Sequence, residues 1–424
     1  MSTGALPGFR DFFPSELAAR SVIFATWREI ARRYGFVEYD GPPLEPLELY
    51  TRKSGEEIAG QLYNFTDKGG REVALRPEMT PTLARMAGAR ANSLRKPVRW
   101  FSIPQLFRYE RQQRGRLREH FQLNVDIIGE ASVTADAELL SVAVDIMRAF
   151  GLTPSDVVAR VSDRRILQGY LGAIGVSESA LAAVFAVIDK LDRQPRSVSE
   201  EKLAAAGVES GARERIMALP DATLDDVAAV VVGTPTEEIV NEFRAYLGYL
   251  EALGVAGWVK VDFAIVRGLA YYTGIVFELF DARGELRAIC GGGRYDTLLR
   301  SLGGADLPAL GFGMGDVVLG ELLRDRALLP EPEAAVESWV AYSEEGGVRD
   351  AMTVASRLRA RGKSAEYALG GQKLGRQLKA AAAAGAAEAV ILTPADLAEG
   401  AAVVRRMSDG AERRVRLDEW IGDR

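Results

Sequence analysis

A chain of 424 residues exceeds what one hydrophobic core organises, so two or three domains are expected. With 48% hydrophobic and 26% charged residues, the composition is that of an ordinary globular protein and excludes a disordered chain, a fibre or a membrane bundle. The single Cys290 and single His120 exclude a disulfide framework and Cys-rich or His-His metal sites, and a net charge of −6 means that any nucleic acid must be met by local basic patches.

The opening stretch, MSTGALPGFRDFFPSEL, lacks a basic segment followed by an apolar core. No uncharged apolar run of about 18 residues occurs either, so the cytoplasm is the expected compartment and no membrane contact is expected. Residues 15–34 read as an amphipathic helix, with Ser15 suited to the cap, Glu16 to the positive end and Gly35 to the stop. Ile23, Trp27, Ile30 and Tyr34 form one stripe, which fits either the core or a subunit interface. Residues 71–130 read as strands and loops, 133–151 as a helix, about 165–255 as a helical stretch, 259–300 as strands and 315–327 as a helix. The proline- and acid-rich 328–337 reads as a linker. Beyond it come a strand (338–343), a helix ending at Gly362, a strand, a helix stopped by Gly385, the strand EAVIL and a hairpin about Ser408-Asp409-Gly410. That alternation predicts a small α/β domain.

Five motifs hold the polar chemistry. Arg108 to Arg118 contains five arginines around Gly115, which predicts a hairpin loop. Guanidinium forks match phosphate oxygens, although a solvated basic loop explains the run equally well by itself. The next residues alternate as a strand, with His120, Gln122, Asn124 and Asp126 on one face and Phe121, Leu123, Val125 and Ile127 on the other. Four polar groups on one face of a mid-chain strand suit the lining of a site. Gln122 and Asp126 lie roughly 13 Å apart along it, enough to grip both ends of a small polar molecule. In Arg76-Pro77-Glu78-Met79-Thr80-Pro81, Thr80 is expected to cap a helix, and Glu78 then sits ionised just ahead of it, where it could pair with an ammonium group. Val266 to Gly274 puts Arg267, Tyr271 and Tyr272 at a strand mouth, and Cys290 to Asp296 carries three glycines that allow a close backbone approach. Gly311-Phe312-Gly313-Met314-Gly315 lacks the context of a dinucleotide loop, and no P-loop occurs.

In this order GFRDFFPSE, LRPEMTPTLAR, LFRYERQQRGR, VRGLAYYTG and GGGRYD resemble the histidyl-tRNA synthetase family of class II aminoacyl-tRNA synthetases over nearly the whole chain. The resemblance implies an α+β catalytic domain on an antiparallel sheet (1–330, helical insertion about 165–255) and an α/β anticodon-binding domain (336–424). It implies histidine–tRNA ligase activity as a homodimer, with L-histidine, ATP with Mg²⁺, and tRNA(His) as partners. It assigns Arg108 to the α-phosphate, Glu110 to the adenine amino group and Arg116 to the outer phosphates. Glu78, Thr80 and Gln122 would hold the histidine ammonium; Asp126 and Tyr272, with Tyr271 beside them, would read the imidazole. Arg267 would be the catalytic cation. The ring over the adenine is expected to be His120, because the order of Phe and His is exchanged here. Asp126 stands where a glutamate is usual. Val318 stands where motif 3 usually has an arginine, a loss of roughly 1.5–3 kcal/mol unless another cation replaces it. A second reading remains open: a paralogue of the family binds histidine as the regulatory subunit of ATP phosphoribosyltransferase. It lacks the anticodon-binding domain, for which Arg357, Arg359, Arg361, Lys363, Lys373, Arg376 and Lys379, read as lying on two helices, suit an RNA backbone.

Overall fold

Helix α1 (Pro14–Arg33) begins with a proline in its first turn, and Gly35 follows it at φ 75°, the left-handed value that ends helices. The expected cap is corrected: Phe13 occupies the cap position without a side-chain bond, and the Ser15 hydroxyl donates to Glu16 at 2.8 Å instead. The stripe belongs to the core. Ile23, Trp27 and Ile30 are buried, and the Tyr34 hydroxyl donates to Asp145 at 2.6 Å. These positions come from a computed structural model that describes residues 4–54, 60–109, 115–191, 194–265, 272–302, 305–329, 336–343 and 347–422. The chain forms two compact units, 1–330 and 331–424.

In the first unit, β1 (Val37–Glu38) is followed by a small antiparallel sheet of β2 (Leu44–Pro46), β3 (Asn64–Thr66) and β4 (Glu72–Leu75), with α2 (Glu48–Ser54) between β2 and β3. Helix α3 (Thr80–Arg90) comes next, then β5 (Val98–Ser102), β6 (Gln105–Phe107), β7 (Glu119–Ile128), α4 (Val133–Ala149) and β8 (Val157–Asp163). The insertion is helical as expected: α5 (Arg164–Ala173), α6 (Leu181–Ile188), α7 (Arg196–Ala205), α8 (Ser210–Met217), α9 (Leu224–Val231) and α10 (Thr236–Ala252). The chain returns through β9 (Val259–Val261), β10 (Ile275–Asp281), β11 (Cys290–Arg294), α11 (Leu298–Ser301), β12 (Ala309–Gly315) and α12 (Asp316–Asp325).

The main sheet runs β1-β5-β7-β12-β11-β10-β8-β9, with β6 also on β7. Its interior pairs are antiparallel, and only the two outer pairs, β1–β5 and β8–β9, are parallel. The antiparallel expectation therefore holds for the centre, and the whole sheet is mixed. Leu123, Val125 and Ile127 of β7 join Trp27, Leu139, Leu140 and Phe243 in one core against the helices. The opposite face of β7 is the polar one.

The second unit has its own core, with Val340, Tyr342, Leu358 and Val390. Its sheet runs β14 (Ala365–Tyr367), β13 (Ser338–Tyr342), β15 (Glu388–Leu392), β16 (Ala401–Arg406), β17 (Glu412–Arg416). Helices α13 (Val348–Ala360) and α14 (Leu374–Ala383) alternate with the strands, and α15 (Pro394–Ala398) and α16 (Leu417–Ile421) are short additions. The hairpin about Asp409 forms as expected, with Gly410 at φ 74° and the Ala411 amide donating to Asp409 at 2.9 Å.

Candidate active site

The floor of the site follows from strand parity. On β12, Phe312 and Met314 enter the core, while Gly311 and Gly313 lie on the polar side. The polar side chains of β7 occupy the space these glycines leave. A Cβ on Gly311 would stand 2.0 Å from an Asp126 carboxylate oxygen, and one on Gly313 would stand 2.7 Å from the Gln122 amide nitrogen. The glycine run, which invites a dinucleotide reading, is a strand kept bare so that Gln122 and Asp126 can lie across it.

Two hairpin loops wall this floor. The first joins β6 to β7, with the Arg108 amide donating to the Arg118 carbonyl at 2.8 Å and Gly115 at φ 71°. The second, 282–289, joins β10 to β11. Between them opens a cavity of about 770 Å³, lined by Arg108, Arg116, His120, Gln122, Arg287 and Val318 among others. The Arg108 Nε donates to the Pro77 carbonyl at 3.0 Å, which ties it to the segment carrying Glu78. Burial, with Arg108, Arg10 and Arg116 nearby, pushes the His120 imidazole down to about 3, so the ring on the wall is neutral at physiological pH. Phe121 points away and meets Phe12, Phe24 and the Arg20 guanidinium, which lies 4.6 Å from its ring centre. Arg10 clasps the back of the site by bonding Glu119 at 2.7 Å and Asp316 at 2.9 Å. Asp316 in turn accepts from the Phe121 amide at 2.9 Å.

Farther along the same face of β7, Asp126 is buried and accepts from the Tyr295 hydroxyl. Burial pushes its carboxyl up to about 7, and the phenol bond pulls only partly against this. Tyr39, Trp100 and Tyr272 pack with Tyr295 in one apolar cluster around this end. An enclosed carboxyl beside phenols suits a small ring carrying N–H groups.

Arg108, Arg116 and Gln122 thus line one cavity, and Asp126 continues its floor. Glu78, Thr80, Asp126 and Tyr272 do not line the cavity itself. Thr80 is corrected: it is the first residue of α3, the cap position belongs to Met79, and no side-chain cap bond forms. Glu110, Arg267 and Tyr271 lie outside the described residues. Sequence reading missed Tyr295 and Arg287 as site residues. Tyr295 sits inside the quoted GGGRYD, but its partner is visible only once β11 and β7 flank β12 in one sheet. Arg287 shares its short loop with Arg283, and that stretch gave no signal.

The family profile for histidyl-tRNA synthetase matches residues 8–315, and that for the anticodon binding domain matches 340–422. The histidine–tRNA ligase of Opitutus terrae is 44% identical over 416 residues, covering 96% of this chain and 94% of its own. The chloroplastic/mitochondrial histidine–tRNA ligase of Arabidopsis thaliana is 42% identical, covering 97% and 85%.

The chain belongs to the histidyl-tRNA synthetase family.

The solved histidyl-tRNA synthetase from Nostoc sp. PCC 7120 has the same fold, with TM-score 0.86 over 100% of this chain and 99% of that one at 24% identity. The segment that resembles motif 2 runs from β6 to the start of β7, and the one that resembles motif 3 spans β12 and α12. The family uses ATP as a substrate, and the arginine-lined cavity lies between these two motifs. Val318 lies on its wall, where the motif 3 arginine is expected.

Proposed function

We propose that the chain is a histidine–tRNA ligase whose arginine-walled cavity holds ATP and whose Asp126 end holds the imidazole of L-histidine. The observation that carries this is the single continuous floor of β7 and β12, with Gln122 and Asp126 laid over Gly311 and Gly313. In this reading Arg108 meets the α-phosphate, Arg116 the outer phosphates and Glu110 the adenine amino group, with the neutral His120 ring against the base. Glu78, Thr80 and Gln122 take the ammonium, and Asp126 with Tyr272 and Tyr271 reads the imidazole. Arg267 stands by the α-phosphate as the catalytic cation. ATP enters with Mg²⁺, held largely by phosphate oxygens.

The substrate carboxylate is already ionised, so a general base is not required. One of its oxygens attacks the α-phosphorus, the α–β bridging bond breaks, and pyrophosphate leaves with the electron pair. Catalysis rests on positioning and on cations facing the phosphorane charge. The 3′-terminal ribose hydroxyl of tRNA(His) then displaces AMP from the carbonyl. Paired groups around the imidazole reject analogues strongly, because an unmatched analogue leaves buried polar atoms unpaired.

We assign 1–330 to the catalytic domain, with its insertion at about 165–255, and 336–424 to anticodon binding. We further propose a homodimer in the cytoplasm. Among the described residues, no helix is long and apolar enough to cross a membrane. Fold alone does not separate the ligase from the regulatory reading. A structure titled ATP phosphoribosyltransferase regulatory subunit/histidyl-tRNA synthetase, from Bacillus halodurans C, also covers 93% of this chain, with TM-score 0.77 at 21% identity. The 40–44% identity to ligases over nearly the full length favours the enzyme. The deciding experiment is ATP–pyrophosphate exchange across a panel of amino acids. Exchange with histidine alone is expected, whereas histidine binding without exchange would establish the regulatory reading.

A further inference from the structure

We infer that Arg287 supplies the phosphate-binding cation that motif 3 lacks at Val318, and that it reaches the outer phosphates of ATP from the second hairpin loop. This rests on the reading of the cavity as the ATP site. Position 318 and position 287 are 31 residues apart in the chain and belong to different elements, α12 and the 282–289 loop. They nevertheless flank one point. A Cβ placed on Gly115 would stand 3.3 Å from the Val318 Cγ2 and 3.7 Å from the Arg287 Cδ. All three residues line the same cavity, together with Arg116. An arginine side chain leaving position 318 would enter the space against which the Arg287 stem lies.

Chemistry supports the exchange. ATP brings a concentrated negative charge at its outer phosphates, and a planar guanidinium fork meets phosphate oxygens in pairs. Arg287 is anchored by geometry that allows this. Its loop is held closed at the base, where the Ile289 amide donates to the Leu279 carbonyl at 2.8 Å and the Gly284 amide donates to the Asp281 carbonyl at 2.9 Å. Asp281 is itself fixed by Arg326 at 2.7 Å. Arg287 is exposed on the cavity wall. The wall thus carries arginines from two separate hairpins, Arg108 and Arg116 from one and Arg287 from the other, besides Arg160 of β8.

The test is steady-state ATP–pyrophosphate exchange with the full-length protein, together with equilibrium binding of ATP and of histidine. Arg287→Ala is expected to raise the KM and Kd for ATP by about ten- to a hundredfold while leaving the Kd for histidine within about twofold, the range expected for a lost charge-assisted bond. Arg287→Lys, which keeps the charge but not the fork, is expected to recover part of the loss. The double variant Arg287→Ala/Val318→Arg, which returns the cation to motif 3, is expected to bind ATP more tightly than Arg287→Ala alone. An unchanged KM and Kd for ATP in Arg287→Ala overturns the inference, whatever the double variant does. Equal weakening of ATP and histidine also overturns it, because that pattern marks a structural residue. If the unaltered protein lacks histidine-dependent exchange, the ligase reading falls. Arg287 is then judged on the ATP Kd alone, by the same criterion.

Discussion

At the scale of single residues, the proposed function gives Asp126 the reading of the imidazole. Its carboxyl titrates at about 7, well above the ordinary carboxylate range, because burial outweighs the bond from Tyr295. Only the ionised form accepts the N–H of an imidazole without reservation. The value of kcat/KM for histidine, which reports groups of the free enzyme, is therefore expected to rise with pH through about 7. Asp126→Asn is expected to remove that break, leaving only the substrate's own imidazole titration at about 6.5. The same shift links to stability with a definite sign. A carboxyl with a raised folded value binds its proton in the folded state over a range where the unfolded chain has released it. Between about pH 4 and 7 it therefore lowers stability as pH rises. Asp126→Asn is expected to be more stable relative to the unaltered protein at pH 8 than at pH 5.5, by about 1–3 kcal/mol in denaturant titrations. A constant difference would show that Asp126 stays ionised. Strand parity made the polar face of β7 legible in the sequence. The pKa was not legible, because it depends on Tyr295 and the apolar cluster that the sheet register delivers.

Among elements, the junction of β11 with the start of α4 holds a buried ion pair. Arg294 is buried, bonds Asp136 at 3.2 Å through Nε, and donates to the carbonyls of Glu130 at 2.9 Å and Ser132 at 3.2 Å. It fixes the end of the strand next to Tyr295, so the arginine of GGGRYD is structural and the tyrosine meets the site. Arg294→Ala leaves Asp136 buried and unpaired, and urea denaturation is expected to show a loss of about 3–5 kcal/mol. Arg294→Lys, keeping charge but not the fork, is expected to lose less. Long elements with clear periods were legible: α1, α4, the insertion helices, and the strand–helix alternation after 338. What was not legible had competing local signals. Gly311-Phe312-Gly313-Met314-Gly315 has no β-branched residues to mark it as a strand, yet it is a central one, because its missing side chains are replaced by those of β7. Thr80 looks like a cap, but the helix gains one residue and takes Met79 there instead. Helices α15 and α16 have five residues each, too few to show a period.

On the scale of the whole molecule, catalysis and RNA contact are assigned to separate units, so they should separate in assays. The basic residues of the second unit are not one uniform face on two helices. Arg357 pairs with Asp418 at 2.6 Å, Arg359 donates to the Ala365 carbonyl at 3.0 Å, and Lys363 lies 5.0 Å from the Trp420 ring centre. Arg361 and Lys363 follow α13, and Lys373 precedes α14. Arg376 and Lys379 are exposed on α14. Arg376→Ala/Lys379→Ala is expected to raise the KM for tRNA about tenfold, with a weaker dependence on salt, and to leave ATP–pyrophosphate exchange unchanged. Equal losses in both assays would place these residues in the fold of the unit. The catalytic claim itself is tested most directly by the two KM values of the exchange reaction in Asp126→Asn and Arg116→Ala. Asp126→Asn is expected to raise the KM for histidine at least a hundredfold and to spare that for ATP, while Arg116→Ala is expected to raise the KM for ATP and to spare that for histidine. A histidine KM untouched by Asp126→Asn, or both KM values moving together in both variants, would contradict it.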